Sequence, residues 1–230
     1  MQPLLAQLED LGLRLSGCFS PVPEDGLPAL PDMAESQVWM VGMAGSRFWP
    51  SFSLSPEHQD GLPDALDRWS RRVGQRLAQQ LGGVALFPFE GPPYWPFQRW
   101  ARRCEPVQTS MLGLLMHPQF GLWHAFRFAL LLPAEQRAEV TVQHISAGSE
   151  GLAQACLSCS GQPCLQACPV LAFAPGRYDV ARCVSYLRTE ACGHCMGQGC
   201  AARRACPQGS AWRYEQDHAA FHMRAFRDAH

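Results

Sequence analysis

The sequence predicts an α+β chain in two parts: an α/β domain with its linker over residues 1–150, then a small cysteine-rich domain with a C-terminal helix over 151–230. Three observations carry this. Apolar residues recur at helical spacing in some N-terminal segments and form short strand-like runs in others. Residues 133–150 are polar and mixed, as a linker is. Nine of the eleven cysteines lie between Cys156 and Cys206. A chain of 230 residues has room for one large domain or two modest ones.

Taken in order, Leu4, Leu5, Leu8, Leu11 and Leu13 predict an opening helix that ends near Gly17. Residues 38–42 read as a short buried strand. Asp64 is placed as an N-cap, and Leu66, Trp69, Val73, Leu77 and Leu81 follow at helical spacing until Gly82 and Gly83 end the helix. Residues 84–89 read as a strand, 91–96 as a rigid proline-rich loop and 97–104 as a short helix. The apolar runs 111–117 and 122–132, separated by Pro118 and Gly121, are expected to pair antiparallel. The last segment, 212–226, reads as a helix packed back on the body.

Composition narrows the function classes. Hydrophobic residues at 47% and charged residues at 17% give an ordinary globular balance tilted toward a large core. A net charge of −1 argues against nucleic acid and against an anionic membrane as partner. All 19 basic residues are Arg, Asn is absent and Ile145 is the sole Ile, which reads as the codon bias of a GC-rich bacterial genome. The longest apolar runs, such as 128–133, are far too short to cross a bilayer. The N-terminus shows neither a basic nor an apolar signal region, so a cytosolic setting is expected. In a reducing cytosol, eleven cysteines are not disulfide material.

Cysteine spacing then points to the chemistry. The first group is Cys156-x2-Cys159-x4-Cys164-x3-Cys168-Pro169. The second is Cys195-x4-Cys200-x5-Cys206-Pro207, preceded by Cys183 and Cys192. A cubane needs four converging thiolates. In bacterial two-cluster ferredoxins the cysteine before proline ligates the other cluster. On that logic Cys156, Cys159, Cys164 and Cys206 hold one [4Fe–4S] cluster, and Cys168, Cys183, Cys195 and Cys200 hold a second. Cys192 is spare, or replaces Cys195. Structural zinc is the alternative, because any Cys-x2-Cys pair can bind it; paired Cys-Pro endings favour iron–sulfur. Arg182, Arg188, Arg203 and Arg204 lie near the ligands in sequence and either raise the cluster potential or form solvated helix faces. Cys18 and Cys104 lack a partner motif and read as buried thiols.

The stretch from Cys164 through Pro169 to the Tyr178–Leu187 segment, with Arg182-Cys183-Val184-Ser185-Tyr186-Leu187, resembles the ferredoxin-like half of epoxyqueuosine reductases. Residues 112–127, with His117-Pro118-Gln119-Phe120-Gly121-Leu122-Trp123-His124, resemble the cobalamin-binding domain of those enzymes and, more closely, the cblC-type cobalamin-processing decyanase. The whole chain is also similar to small bacterial proteins labelled ferredoxins. The resemblance implies a nitroreductase/cblC-like α/β domain followed by a ferredoxin-like dicluster domain. It further implies a base-off corrinoid beside the clusters, or FMN in its place, with Tyr94, Trp95, His117, Gly121, Trp123 and His124 as contacts. One departure stands out. Those reductases carry a catalytic Asp ahead of the helix at 97–104, whereas this chain offers only Glu90, outside a matching motif, which argues against epoxyqueuosine reduction.

Three functions remain. The first is an electron carrier between a redox donor and an acceptor protein. The second is a corrinoid- or flavin-dependent reductase fed by the clusters, and the third a zinc-stabilised interaction module. The missing Asp and the short chain favour the carrier, whereas retention of a full N-terminal domain favours the reductase; the carrier is preferred.

Overall fold

A computed structural model describes residues 2–27, 36–133 and 155–230. These are mixed α and β and divide into two compact units, residues 2–106 with 125–133 and residues 107–124 with 155–230.

In the first unit, α1 (Gln2–Asp10) leads into β1 (Arg14–Phe19) and, past a 3-10 turn at Pro23–Asp25, β2 (Ser36–Ala44). The short helices α2 (Trp49–Ser53) and α3 (Pro56–Gln59) precede the long α4 (Ala65–Gln80), then β3 (Val84–Leu86) and α5 (Phe97–Cys104). Two short strands of the second unit, β4 (Gln108–Thr109) and β5 (Leu115–Met116), come before β6 (His124–Pro133), which returns the chain to the first. The sheet order is β1-β2-β6-β3. β1 and β2 run antiparallel with Phe19 opposite Val38, and β3 and β6 run antiparallel with Leu86 opposite Ala129. One side of this sheet buries Phe19, Val38, Met40, Leu86, Ala129 and Leu131 against Phe97, Trp100 and Cys104 of α5. Trp100 is anchored by donating Nε1–H to the Asp25 carbonyl at 3.0 Å.

The opening helix is shorter than its leucines suggest. It stops at Asp10 because Gly12 takes φ +67° and a Cβ there would lie 2.1 Å from the Arg47 carbonyl oxygen. Leu11 and Leu13 therefore fall outside it, and Gly17 lies within β1. The α4 stripe is as expected, with Leu66, Trp69, Val73 and Leu77 buried. Asp64 occupies the N-cap position with φ 55° and makes no capping bond through its side chain. The strand expected at 84–89 ends at Leu86, and Phe87 turns in against Gly74 of α4.

The expected antiparallel pair of 111–117 with 122–132 does not form. β5 pairs instead with β4, Gln108 opposite Met116, while β6 joins the sheet of the first unit. The reason is burial. Leu112, Met116 and Leu122 pack on Cys168, Ala172, Ala202 and Cys206, so residues 107–124 group with the cysteine-rich segment, while the division expected at 150/151 lies outside the described residues. The linker expectation, beyond Pro133, lies outside the described residues.

The rest of the second unit is built from short pieces. These are α6 (Pro163–Gln166), the hairpin β7 (Phe173–Ala174)/β8 (Arg177–Tyr178), α7 (Val180–Leu187), α8 (Gly193–Gln198), α9 (Ala201–Ala205) and α10 (Gln216–Asp228). A 3-10 turn at Ser210–Trp212 precedes α10, so the last helix starts later than residue 212; it packs on α8. Among the described residues no helix is long and apolar enough to cross a membrane.

Candidate metal centre

Cys156, Cys159, Cys164 and Cys206 line one cavity of about 60 Å³, with Met111 and Met116 supplying part of its apolar wall. Local chemistry places each sulfur. Pro163 starts α6 at a position where its missing N–H costs nothing, which sets Cys164 in the first turn. Cys206 caps α9 in an extended conformation, as a residue before proline must, and Pro207 turns the chain away. Burial pushes the Cys164 thiol up, and Cys206, Cys156 and Cys159 push it further. Burial likewise raises Cys206, with Cys156 and Cys159 adding to it and the Gln208 N–H and Arg213 acting against it.

The second group is electrostatically just as coherent. Burial raises Cys183, and Cys168 and Cys195 add to the rise. Cys200 is raised by burial, then by Cys195 and Cys183. Cys195 is raised by burial, with Cys168 and Cys192 contributing and the Ala201 N–H and Arg204 opposing. The Cys168 sulfur accepts the Ala172 N–H at 3.3 Å. Cys183 sits in the first half of α7, whose N-cap Asp179 accepts the Arg182 N–H at 2.9 Å. Cys192 lines a different, surface cavity with Arg188, Thr189, Met196 and Arg227, which favours Cys195 as the member of this group.

The sulfurs of the first group line one cavity. Among the described residues, no three His, Cys, Asp or Glu side chains close on a point as ligands of a single ion do. Four thiols around a cavity are a donor set that suits a cubane, whose metal and sulfide core fills the middle.

Of the four arginines singled out in the sequence, Arg204 acts on a thiol of the group, and it also meets His194 Nε2 at 2.9 Å. Arg182 pairs with Asp179 at 3.6 Å, Arg188 lines the Cys192 cavity, and Arg203 donates to the Leu122 carbonyl at 3.0 Å. Arg213, which acts on Cys206, carried no signal in the sequence beyond its proximity.

The six expected cofactor contacts fall in different units. Tyr94 and Trp95 belong to the first, where Tyr94 is 64% exposed and Trp95 stacks on Trp100 at 6.1 Å. His117, Gly121, Trp123 and His124 belong to the second. His117 Nδ1 accepts the N–H of Gln119 at 3.1 Å and of Phe120 at 3.3 Å, and its ring stacks on Phe120 at 4.4 Å. His124 Nε2 lies 3.1 Å from the Leu115 carbonyl. Trp123 meets Tyr214 edge-on at 5.2 Å, and the Arg203 guanidinium lies 4.6 Å from its ring centre. Glu90 is ion-paired to Arg71. Cys104 is buried, and burial raises its thiol; Cys18 is only half-buried.

Sequence reasoning missed two features: the closeness of Gly121 to Gln208, and the pairing of the buried His218 with the half-buried His222. The His pair had an i, i+4 signal on α10. The chain matches no model of a known protein family, and it matches no curated protein.

Proposed function

We propose that this protein is an electron carrier that holds two [4Fe–4S] clusters through crossed cysteine sets and passes electrons between a donor and an acceptor protein in the cytosol. The observation that carries the reading is the meeting of Cys206 with Cys156, Cys159 and Cys164 on one cavity, although Cys206 comes after every member of the other group in the chain. Gathering these thiols has no merit in itself, because burial disfavours the Cys164 and Cys206 thiolates and their neighbours disfavour them again. A shared cationic iron core is the compensation such a set fits. Bound there, each cluster would take up and release one electron at a time. The chain's own residues hold the sulfurs in place from short helices, keep water off them with Met111, Met116 and Leu122, and aim N–H groups and Arg204 at them.

A corrinoid- or flavin-dependent reductase, with a nitroreductase/cblC-like and a ferredoxin-like domain, is the second reading. The gathering of His117, Trp123 and His124 with Tyr214 in one unit favours it. It ranks lower because these rings are engaged with one another and with main-chain groups, and because Glu90 is tied to Arg71.

Dithionite reduction of the anaerobic protein, followed optically and by EPR with and without hydroxocobalamin or FMN, separates the readings. The carrier gives two reducible clusters and no change with either cofactor. A base-off cobalamin spectrum reduced by the clusters supports the reductase, and absence of any bleaching refutes both.

A further inference from the structure

Residues 155–230 carry eight arginines against five carboxylates, while residues 107–124, which group with them, carry neither. The chain as a whole has a net charge of −1, so basic charge is concentrated in the described part of the cysteine-rich unit. Its arginines are not all paired alike. Asp179 pairs with Arg182, and Asp228 with Arg227. Three others donate to neutral acceptors instead: Arg203 to the Leu122 carbonyl at 3.0 Å, Arg204 to His194 Nε2 at 2.9 Å, and Arg213 to the Arg204 carbonyl at 2.7 Å. A guanidinium only donates, so His194 accepts through Nε2 and adds no charge of its own. Among the described residues, none of these three guanidinium groups has a carboxylate partner. Arg213 and His194 are exposed and Arg204 is half-buried, so the bond from Arg213 to the Arg204 main chain holds the patch together at the surface. Arg203 is fixed behind it between the rings of Trp123 and Tyr214, 4.6 and 4.5 Å from their centres. The patch adjoins both cysteine sets, because His194 precedes Cys195 and Arg204 lies two residues before Cys206.

We propose that Arg204 and Arg213, backed by Arg203, form a docking patch for an acidic face on the protein that takes electrons from the clusters. The proposal rests on the electron-carrier reading and names the chemistry of its partner. Like charges held together without counter-charges repel, and carboxylates on an approaching surface relieve that repulsion. Arginine suits the task, since its planar fork meets a carboxylate with two parallel N–H bonds. An electron carrier must meet its partner quickly and part from it quickly. Exposed charge supplies the first without preventing the second, because it acts on the encounter rate more than on affinity. A partner drawn to this patch arrives beside a ligand of each cluster, where the electron has the shortest way to travel. A nucleic acid fits less well: its affinity grows with the number of phosphates neutralised, and here Glu215 and Asp217 follow Arg213 within four residues.

The test is stopped-flow oxidation of the reduced, anaerobically purified full chain by two probes: flavodoxin, an acidic flavin protein, and cytochrome c, a basic haem protein. In each case a reduced cluster loses one electron; the flavin takes it with a proton as the semiquinone, or the haem iron takes it as Fe(II). The second-order rate with flavodoxin should fall about tenfold or more from about 0.01 M to about 1 M NaCl, as the screening length drops from about 30 Å to about 3 Å. At low salt Arg213→Glu and Arg204→Gln should each slow flavodoxin severalfold and leave cytochrome c as fast or faster. A change in cluster potential would move both probes in the same direction, so the contrast between them reports docking. The salt dependence of the wild type needs no variant, and it decides even where a variant loses a cluster. A flavodoxin rate indifferent to salt overturns the proposal, and so do intact variants that slow both probes alike. Binding of poly(U) RNA by the wild type that is lost in Arg213→Glu would assign the patch to nucleic acid and overturn it as well. Wild-type protein that shows no bleaching on reduction fails the carrier reading itself, before any probe is added.

Discussion

A Cβ on Gly121 would stand 2.0 Å from the carbonyl oxygen of Gln208, two residues beyond Cys206. Gly121 also takes φ +55°, and Gly209 approaches it so closely that its own Cβ would lie 2.4 Å from the Gly121 nitrogen. This contact of two backbones, together with the Gln208 side chain donating to the Pro118 carbonyl, fixes the turn that follows Cys206-Pro207. Gly121→Ala should therefore loosen the Cys206 side of the first cluster. The left-handed backbone alone costs about 1–2 kcal/mol for a residue with a Cβ. Iron release to a chelator should accelerate about tenfold or more from the first cluster, with the second cluster unaffected in EPR.

The ligand assignment can be tested at its ambiguous point. Cys192 packs beside Cys195 but also lines a surface cavity with Arg188 and Arg227, whereas Cys195 is coupled to Cys168 and Cys200. Cys192→Ala should keep both clusters, and Cys195→Ala should lose about half the iron. Loss on Cys192→Ala with retention on Cys195→Ala would reverse the assignment.

Crossing of the two cysteine sets predicts a particular spectroscopic result. Cys206→Ala should abolish the cluster of Cys156, Cys159 and Cys164, and Cys156→Ala should abolish the same EPR signal. Two different signals lost in these variants would mean that the sets are not crossed.

His218 gives stability a pH dependence. It is fully buried, stacked on Tyr214 at 3.8 Å with its Nε2 3.0 Å from Nε2 of His222. Burial, then His222 and Arg203, pull its pKa down to about 2. Above roughly pH 6.5 the imidazole is neutral in both folded and unfolded chains and costs nothing. Below that, the unfolded chain binds a proton the folded one refuses, so stability falls as pH falls, by about 1.4 kcal/mol per pH unit from this group. Urea unfolding of wild type and His218→Phe at pH 7.5, 6 and 5 should show a shallower loss in the variant. Parallel losses would contradict a neutral buried His218.

Much of this was legible in the sequence where one local rule dominates. The α4 stripe from Leu66 to Leu77 and the helix at 97–104 follow apolar spacing, and each has a breaker at its end. The four thiols that line one cavity, Cys156, Cys159, Cys164 and Cys206, are ones that the Cys-Pro spacing had put together. What stayed hidden depends on distant partners. The leucine spacing continues past Asp10, and it is contact of Gly12 with Arg47 that ends α1. Residues 111–117 read as a strand toward 122–132 because both are apolar, yet Met116 and Leu122 bury against cysteines that follow much later. Gly121 was singled out as a cofactor contact, and only the position of Gln208 reveals its packing role.

The most direct test of the two-cluster reading is the iron and acid-labile sulfide content of the full chain purified without oxygen. Two cubanes predict about eight iron and about eight sulfide per chain, with a broad visible absorption that bleaches on reduction. Stoichiometric zinc without acid-labile sulfide would contradict it.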